Sequence, residues 1–450
     1  MSKVKNPLSS LGATGKFSEN IIFQKQNRQY TAKKLSRPYN PRTARQLSVR
    51  DSMHGLTLIW RTLTDEQRES WTLYAYRRNR DGYSTFLSAN FSQYHESGTY
   101  DEWAPGYKPT PQNWYDPAWL DRILITFDHT KVMTAAPLEN YPAYIDLSLL
   151  NPLFFSLTKN NGGDIRFTTS DGKTEIPREL VNIDTGAGTG QAFVKIPSLS
   201  NSAPTSIYVY FNNPAAFDYD PADPYGRHNT WPSDYLIVHH MNDLTTNTLL
   251  DSTTNNYTST KKAENEPVQA SGKLGYCQQF DGTNDYTKTA ATLELGSTAK
   301  PNFSISAWLY ISAAPPSTKV YKASQTTGAL LLSIKNNGYS IGASRICELA
   351  RIVYGPTTGA FCLITWTRNG SDLRGYHNAI EKKQQTQAYD WKTGNIVYGI
   401  AGNLVSEPFP GKIDHFTIQN RAVQQPELET TYNNQNDPGT FYTGGPIEEY

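Results

Sequence analysis

Cysteine is scarce in this 450-residue chain, which has only Cys277, Cys347 and Cys362. An odd number over such a length gives no disulfide framework, so stability has to come from packing. Charge is sparse as well, at 18% of residues with a formal net charge of +1, which excludes a uniformly polyanionic or polycationic chain. Long apolar runs are missing. No stretch reaches the roughly 18 apolar residues of a membrane span, and Met-Ser-Lys-Val-Lys-Asn-Pro-Leu opens no signal-peptide core of about 7–15 apolar residues. The expectation is a protein made in a reducing cytoplasm, without a signal peptide and without a membrane partner.

What is present favours strands. Aromatic residues make up 12%, with 31 Gly and 27 Pro, a composition suited to a β-rich, turn-rich protein of two or three domains. The near-neutral total hides an asymmetry: residues 1–100 hold 16 Lys and Arg against 7 Asp and Glu, and the remainder 26 against 34. A segment of +9 therefore precedes a body of −8.

Residues 1–35, with the apolar run Ile21-Ile-Phe23, read as a hairpin or extended arm. Beyond them Val49, Met53, Leu56 and Trp60 recur at helical spacing, with Asn40 as cap and Pro41 in the first turn. Thr64-Asp-Glu-Gln67 forms a capping box for a second helix through Trp71 and Ala75. This helical hairpin exposes Arg68, Arg77, Arg78 and Arg80. Clustered bases suit phosphate contact, but docking on an acidic protein surface is the preferred reading, and nucleic acid is not an expected partner. Residues 101–117 form a linker too aromatic for a flexible tether, expected to pack on a neighbour. Five strand candidates within 118–230 suggest a small β sandwich. A second β domain covers 231–443, and 444–450 is a tail.

The second β domain is organised around Ser271-Gly-Lys-Leu-Gly-Tyr-Cys-Gln-Gln-Phe-Asp-Gly-Thr-Asn-Asp-Tyr286, a strand running into a tight turn. After it Phe303, Ile305, Ala307, Leu309 and Ile311 share one face at period two. These segments, with Tyr235-Leu-Ile-Val-His-His-Met-Asn-Asp243, Asp251-Ser-Thr-Thr-Asn-Asn256 and Pro410-Gly-Lys-Ile-Asp-His-Phe-Thr-Ile418, resemble a concanavalin A-like, laminin-G type jelly roll. Residues 118–213, with Asp164-Ile-Arg-Phe-Thr-Thr-Ser-Asp-Gly172, resemble the small β domain of unassigned function that accompanies such modules. Residues 12–50, with Asn40-Pro-Arg-Thr43, and the segment Thr64 to Trp71 are similar to an N-terminal segment of tailed-phage structural proteins. The expected fold is mainly β: a small β sandwich plus a concanavalin A-like jelly roll, with an N-terminal arm and helical hairpin.

Glycosidases on this fold resemble one another in a Glu-x-Asp-x-Glu strand that points three carboxylates into a cleft. No such string occurs; the closest strand, Lys412-Ile-Asp-His-Phe416, has one carboxylate. Adjacent His239 and His240 face opposite sides of a strand and read as one core and one surface residue. Gly186-Ala-Gly-Thr-Gly190 lacks phosphate-loop spacing, and Cys277 has no partner base. The resemblance to laminin-G domains implies a calcium site from Asp281, Asn284 and Asp285, with Asp243 and Asp251 as contributors; the alternative is that these are turn formers. Tyr339, Tyr376, Trp391 and Tyr398 are the aromatics available to stack on sugars, the alternative being edge and core packing.

The resemblances together imply a non-enzymatic virion structural protein: a head decoration, fibre or tail-associated adhesin. It would be anchored to other virion proteins through residues 1–117, display lectin-like domains to a cell-surface glycan and form a homo-oligomer. The alternatives are an extracellular bacterial carbohydrate-binding protein and, below it, a glycoside hydrolase.

Overall fold

A computed structural model describes residues 15–16, 21–26, 29–34, 43–76, 78–105, 113–244, 247–263, 266–293, 295, 302–311, 317–322, 330–335, 338–343, 347–352, 358–386, 394–398 and 409–450. Of 15–34, 290–292, 317–352 and 394–398 it describes the backbone alone. The chain forms two compact units, Met1–Pro109 and Thr110–Tyr450.

The first unit has a hairpin, Ile21–Gln26 against Gln29–Lys34, and three helices, α1 (Ala44–Thr62), α2 (Asp65–Tyr76) and α3 (Gly82–Ser97). Helix α1 starts later than Asn40 and Pro41 suggest. Thr43 is its cap, in a capping box with Gln46, because that pair satisfies two of the amides a helix start leaves unbonded. The box at α2 stands as read: Thr64 N donates to Gln67 Oε1 at 2.7 Å and Gln67 N to Thr64 Oγ1 at 3.2 Å. Helix α3 corrects the expected two-helix hairpin. Its Ser, Thr, Tyr and Phe are middling helix formers, and tertiary packing holds it: Phe86 lies 5.4 Å from Trp60 and 5.5 Å from Trp71, ring to ring. Asp81 caps its start and Gly98, at φ +74°, ends it.

The aromatic linker is divided between the two units. Glu102 O accepts the Trp71 indole N–H at 2.9 Å and Ala104 is buried in the helical core, whereas Trp114 and Tyr115 pack with Trp119 and Tyr210 in the second unit.

The second unit starts with a sandwich of two sheets. One runs Tyr442–Glu449, Asp121–Phe127, Thr205–Phe211, Arg166–Thr169, Glu175–Ile176; the other runs Leu138–Asp146, Thr189–Leu199, Arg178–Asp184. Ile123, Ile125, Phe127, Phe167, Val194 and Val209 fill the core between them. The expected tail over 444–450 is corrected. It belongs to a strand that pairs with Asp121–Phe127, because the apolar edge of that strand would otherwise face water. The small β domain is thus built from both sides of the jelly roll in sequence.

The jelly roll contains two eight-stranded sheets. The one that matters here is ordered Val268–Ser271, Tyr276–Asp281, Pro410–Gln419, Phe303–Tyr310, Phe361–Asn369, Asp372–His377, Ile380–Thr386, with Tyr235–His239 also on Pro410–Gln419. Its inner face carries Phe303, Ile305, Ala307, Leu309 and Ile311, all buried in the inter-sheet core, as their period of two demands.

Candidate functional site

The outer face of that sheet is not open to solvent. Val238, Leu274, Trp308 and Leu363 from the jelly roll pack with Tyr144, Phe193 and Trp231 of the preceding β domain and connector. The helix Gln425–Asn436 closes the same seam. Asn434 Oδ1 accepts from Tyr144 N at 2.7 Å and its Nδ2 donates to Tyr144 O at 2.9 Å, so one side chain completes the edge of strand Leu138–Asp146. Gln435 Oε1 accepts the Trp308 indole N–H at 2.8 Å.

A bulge lets two polar residues enter this seam side by side. Asp414 pairs with Trp308 and Thr417 with Ser306, so Ala307 faces both His415 and Phe416. Ile413, Phe416 and Ile418 then remain inward, and Asp414 and His415 both turn outward. His415 adopts φ +41°, a left-handed conformation costing a non-glycine residue about 1–2 kcal/mol. Its ring stacks on Phe193 at 4.8 Å and on His240 at 5.2 Å, and the two Nδ1 atoms are 3.2 Å apart. His240 Nε2 is 3.1 Å from Glu179 Oε2. Glu179 also accepts from Trp231 Nε1 at 2.7 Å and Ser252 Oγ at 2.6 Å. Burial alone would raise the Glu179 carboxyl, but His240 and these donors outweigh it and hold it below the usual range.

The reading of His239 and His240 as one core and one surface residue is corrected, since both are buried. The strand does send them to opposite faces; the face that would be solvated in an isolated jelly roll is covered by its neighbour domain. Two glycines of the Ser271–Gly275 motif allow that approach. A Cβ on Gly272 would come 2.4 Å from Asp414 Oδ2, and one on Gly275, at φ +98°, 2.5 Å from Gln191 Oε1 of the small β domain.

Burial pushes the Asp414 carboxyl up to about 7, against the amides of Leu274 and Lys273, which it accepts at 2.8 and 2.6 Å. A raised carboxyl contributes stability that is complete below about pH 3.8 and lost as the pH rises through about 7. Burial drives His239 down to about 4 and His415 well below 6.5. Their contributions run the other way, complete above pH 6.5 and lost on acidification. Asp414→Asn keeps an acceptor for both amides and removes the opposing titration. Its unfolding free energy relative to the native chain should rise between pH 4 and 7 by up to about 1.4 kcal/mol per pH unit, then level off. Urea titrations at four pH values test this; a difference constant with pH would refute it.

At the rim of the seam a cleft of about 280 Å³ opens between strand Leu138–Asp146 and the jelly roll. Pro137, Pro142, Pro232, Tyr141 and Tyr235 line it together with Glu139, Asp234, Arg421 and Glu427. Arg421 is clamped, with Nε donating to Asp234 Oδ2 at 2.5 Å, Nη1 to Glu427 Oε2 at 2.7 Å and Nη2 to Glu427 Oε1. Burial would lower this guanidinium, yet the two carboxylates keep it above its usual range. Sequence reasoning missed this cleft because its walls come from segments almost 300 positions apart.

The residues singled out from sequence fare differently. Tyr376 is 2% exposed, packed with Ala379, Val423 and Leu428, and is corrected to a core residue beneath the turn that leads into the C-terminal helix. Tyr339 and Tyr398 lie on strands Gly338–Ala343 and Gly394–Tyr398, whose side chains are outside the described residues, as is Trp391. Asp281 Oδ1 accepts from Thr283 and Asn284 amides at 2.7 and 3.1 Å, and Asp285 Oδ2 from Asp281 N at 2.9 Å. Asp251 is 2% exposed and accepts from Val238, Thr253 and Tyr257 amides and the Thr253 hydroxyl. Asp243 Oδ1 accepts from Leu250 N at 3.3 Å. Asp281, Asn284 and Asp285 share one turn, with both carboxylates accepting from its own backbone amides, and among the described residues no group of three His, Cys, Asp or Glu side chains is arranged for a metal. Arg68 pairs with Asp65 at 2.6 Å, Arg78 lies over the Tyr74 ring at 3.8 Å, Arg80 is exposed and Arg77 lies outside the described residues. No described helix is long and apolar enough to cross a membrane.

Comparison with known proteins fits this architecture. Residues 281–429 match the concanavalin A-like lectin/glucanases superfamily, and residues 161–228 match a domain of unknown function, DUF2341. No curated protein matches the chain. Similar solved structures include the botulinum neurotoxin serotype D binding domain, at 17% identity over 45% of this chain and 51% of that one, TM-score 0.37. Another is domain 4 of an extracellular arabinanase from Geobacillus stearothermophilus in complex with arabinotriose, at 19% identity over 44% and 98%, TM-score 0.36. A third is the serotype D ligand binding domain in complex with N-acetylneuraminic acid, at 17% identity over 45% and 51%, TM-score 0.35. The chain spans about half the length of the neurotoxin domains it matches. The C-terminal β domain is a concanavalin A-like domain, and the domain of unknown function precedes it as the Asp164–Gly172 segment suggests.

Proposed function

We propose that this protein is a non-enzymatic virion component of a tailed phage, a decoration, fibre or adhesin subunit that contacts glycans through the cleft at the seam of its two β domains. The observation that carries the binding part is the cleft itself. Its lining combines prolines and tyrosines with charged hydrogen-bonding side chains, the mixture a sugar ring needs, and its volume lies near the small end of ligand sites, roughly 300–1,000 Å³. A binding role is favoured over hydrolysis because Asp414, the carboxylate of the Lys412–Phe416 strand, is 1% exposed beneath the neighbouring domain. Asp234 and Glu427 are both committed to Arg421.

The anchoring part rests on the coincidence of two divisions. The +9 charge segment of residues 1–100 lies within a compact unit that ends at Pro109, ahead of the acidic body. Arg78 and Arg80 on its surface would meet acidic virion proteins, and assembly as a symmetric oligomer would supply several copies of the cleft. Because Trp114 and Tyr115 pack in the second unit, the informative deletion removes residues 1–109 and leaves them in place. Particles assembled with that shortened chain should retain less than about a tenth of the native copy number by quantitative mass spectrometry. Full occupancy would remove the anchoring assignment.

A further inference from the structure

We infer that the seam cleft prefers sugars bearing a free amino group and discriminates against acidic sugars. This rests on the reading of the cleft as a glycan site. Three carboxylates, Glu139, Asp234 and Glu427, line it against one guanidinium, Arg421. Arg421 donates from all three of its nitrogens to Asp234 and Glu427, so its charge is already matched by two carboxylates. An incoming carboxylate could reach only the remaining Nη hydrogens, beside three carboxylates of like charge that oppose it. The acceptors are in surplus. Glu139 uses Oε1 for the Ser198 hydroxyl at 2.8 Å, and Asp234 uses Oδ2 for Arg421 and for Gln419 at 3.0 Å. Glu139 Oε2 and Asp234 Oδ1 stand outside these bonds, whereas Glu427 gives both oxygens to Arg421.

A ligand that satisfies these acceptors has to donate hydrogen bonds, and a positive charge adds a favourable field from the excess of two negative charges. An ammonium group on a sugar does both, offering three donors at one point. A neutral sugar supplies hydroxyl donors without the field, and a uronic or sialic acid brings like charge to Glu139 and Asp234. Tyr235 and Pro137 offer apolar surface to the ring in all three cases, so discrimination comes from charge.

Calorimetric titration of the full chain with glucosamine trisaccharide, its N-acetylated counterpart and a sialylated trisaccharide tests this. The amino sugar should bind roughly 2- to 5-fold more tightly than the N-acetylated one at low salt, as expected for a partly exposed charge contact. The margin should shrink towards parity at about 0.5 M salt, and the sialylated sugar should bind weakest. Glu139 is exposed, so Glu139→Gln should fold normally and reduce the amino preference towards parity, read as the ratio of the two affinities in the same variant. Equal binding of amino and acidic sugars, or an undiminished preference in Glu139→Gln, would overturn the inference while the glycan reading stands. Binding of none of the three would overturn both.

Discussion

Glu179→Ala should lower the unfolding free energy of the β body by about 3–5 kcal/mol, the summed cost of stranding the buried donors that this carboxylate accepts. Glu179 is 6% exposed and holds three groups in a space closed by the rings of Phe193, Trp231 and His415. Its removal leaves the Trp231 indole N–H and the Ser252 hydroxyl without their acceptor, and each unsatisfied donor in such a site costs about 1–3 kcal/mol. It also leaves His240 facing His415 with no carboxylate behind it. Glu179→Gln retains one acceptor oxygen and should cost about half as much. Urea unfolding followed by tryptophan fluorescence reads both, since Trp231 reports on the seam directly. A loss below about 1 kcal/mol for the alanine variant would mean that water enters the seam and replaces the carboxylate.

The second large effect belongs to the C-terminus. A chain ending at Phe441 should fail to fold its small β domain or should precipitate, although the residues removed lie beyond the whole concanavalin A-like domain. Strand Tyr442–Glu449 covers Ile123 and Ile125 along the edge of Asp121–Phe127. Tyr442 is 2% exposed, and its hydroxyl accepts from Asp146 N at 2.7 Å and donates to Asp146 O at 3.0 Å, tying the two sheets together. Glu448 pairs with Arg122, whose guanidinium lies 4.4 Å from the Trp114 ring centroid and 3.9 Å from that of Tyr208. Loss of Tyr442 alone removes a large core side chain worth about 3–5 kcal/mol, and the unpaired strand edge it leaves is a template for aggregation. Tyr442→Phe, which keeps the ring, should cost only about 1–2 kcal/mol. If the shortened chain unfolded cooperatively at an unchanged midpoint, the strand would be ornamental.

How much of this was legible follows from the range of each signal. The alternation from Phe303 to Ile311 and the Thr64–Gln67 box are local, and they appear in the structure as read. Helix α3 was illegible because Phe86 and Leu87 stabilise it by contacts to other helices, while its own Ser, Thr and Tyr carry no helical bias. The paired outward turn of Asp414 and His415 contradicts period-two reading, since a bulge shifts the phase by one residue and nothing in Lys412–Phe416 announces it. Tyr376 and His240 were misplaced for one reason: which face of a strand is wet depends on what docks there. The cleft needed Glu139, Asp234 and Arg421 on one map, and only the closed chain brings them together.

The return of the chain to the small β domain also has a mechanical meaning. Asp121 and Glu449 are partners in antiparallel strands, so the two ends of the body emerge side by side, with the jelly roll looped out between them. Tension applied across those ends would open the Asp121–Phe127 and Tyr442–Glu449 pair one bond at a time, as a zipper, while the inserted jelly roll stays outside the line of force. The fold thus yields to a pull on these two strand ends by peeling.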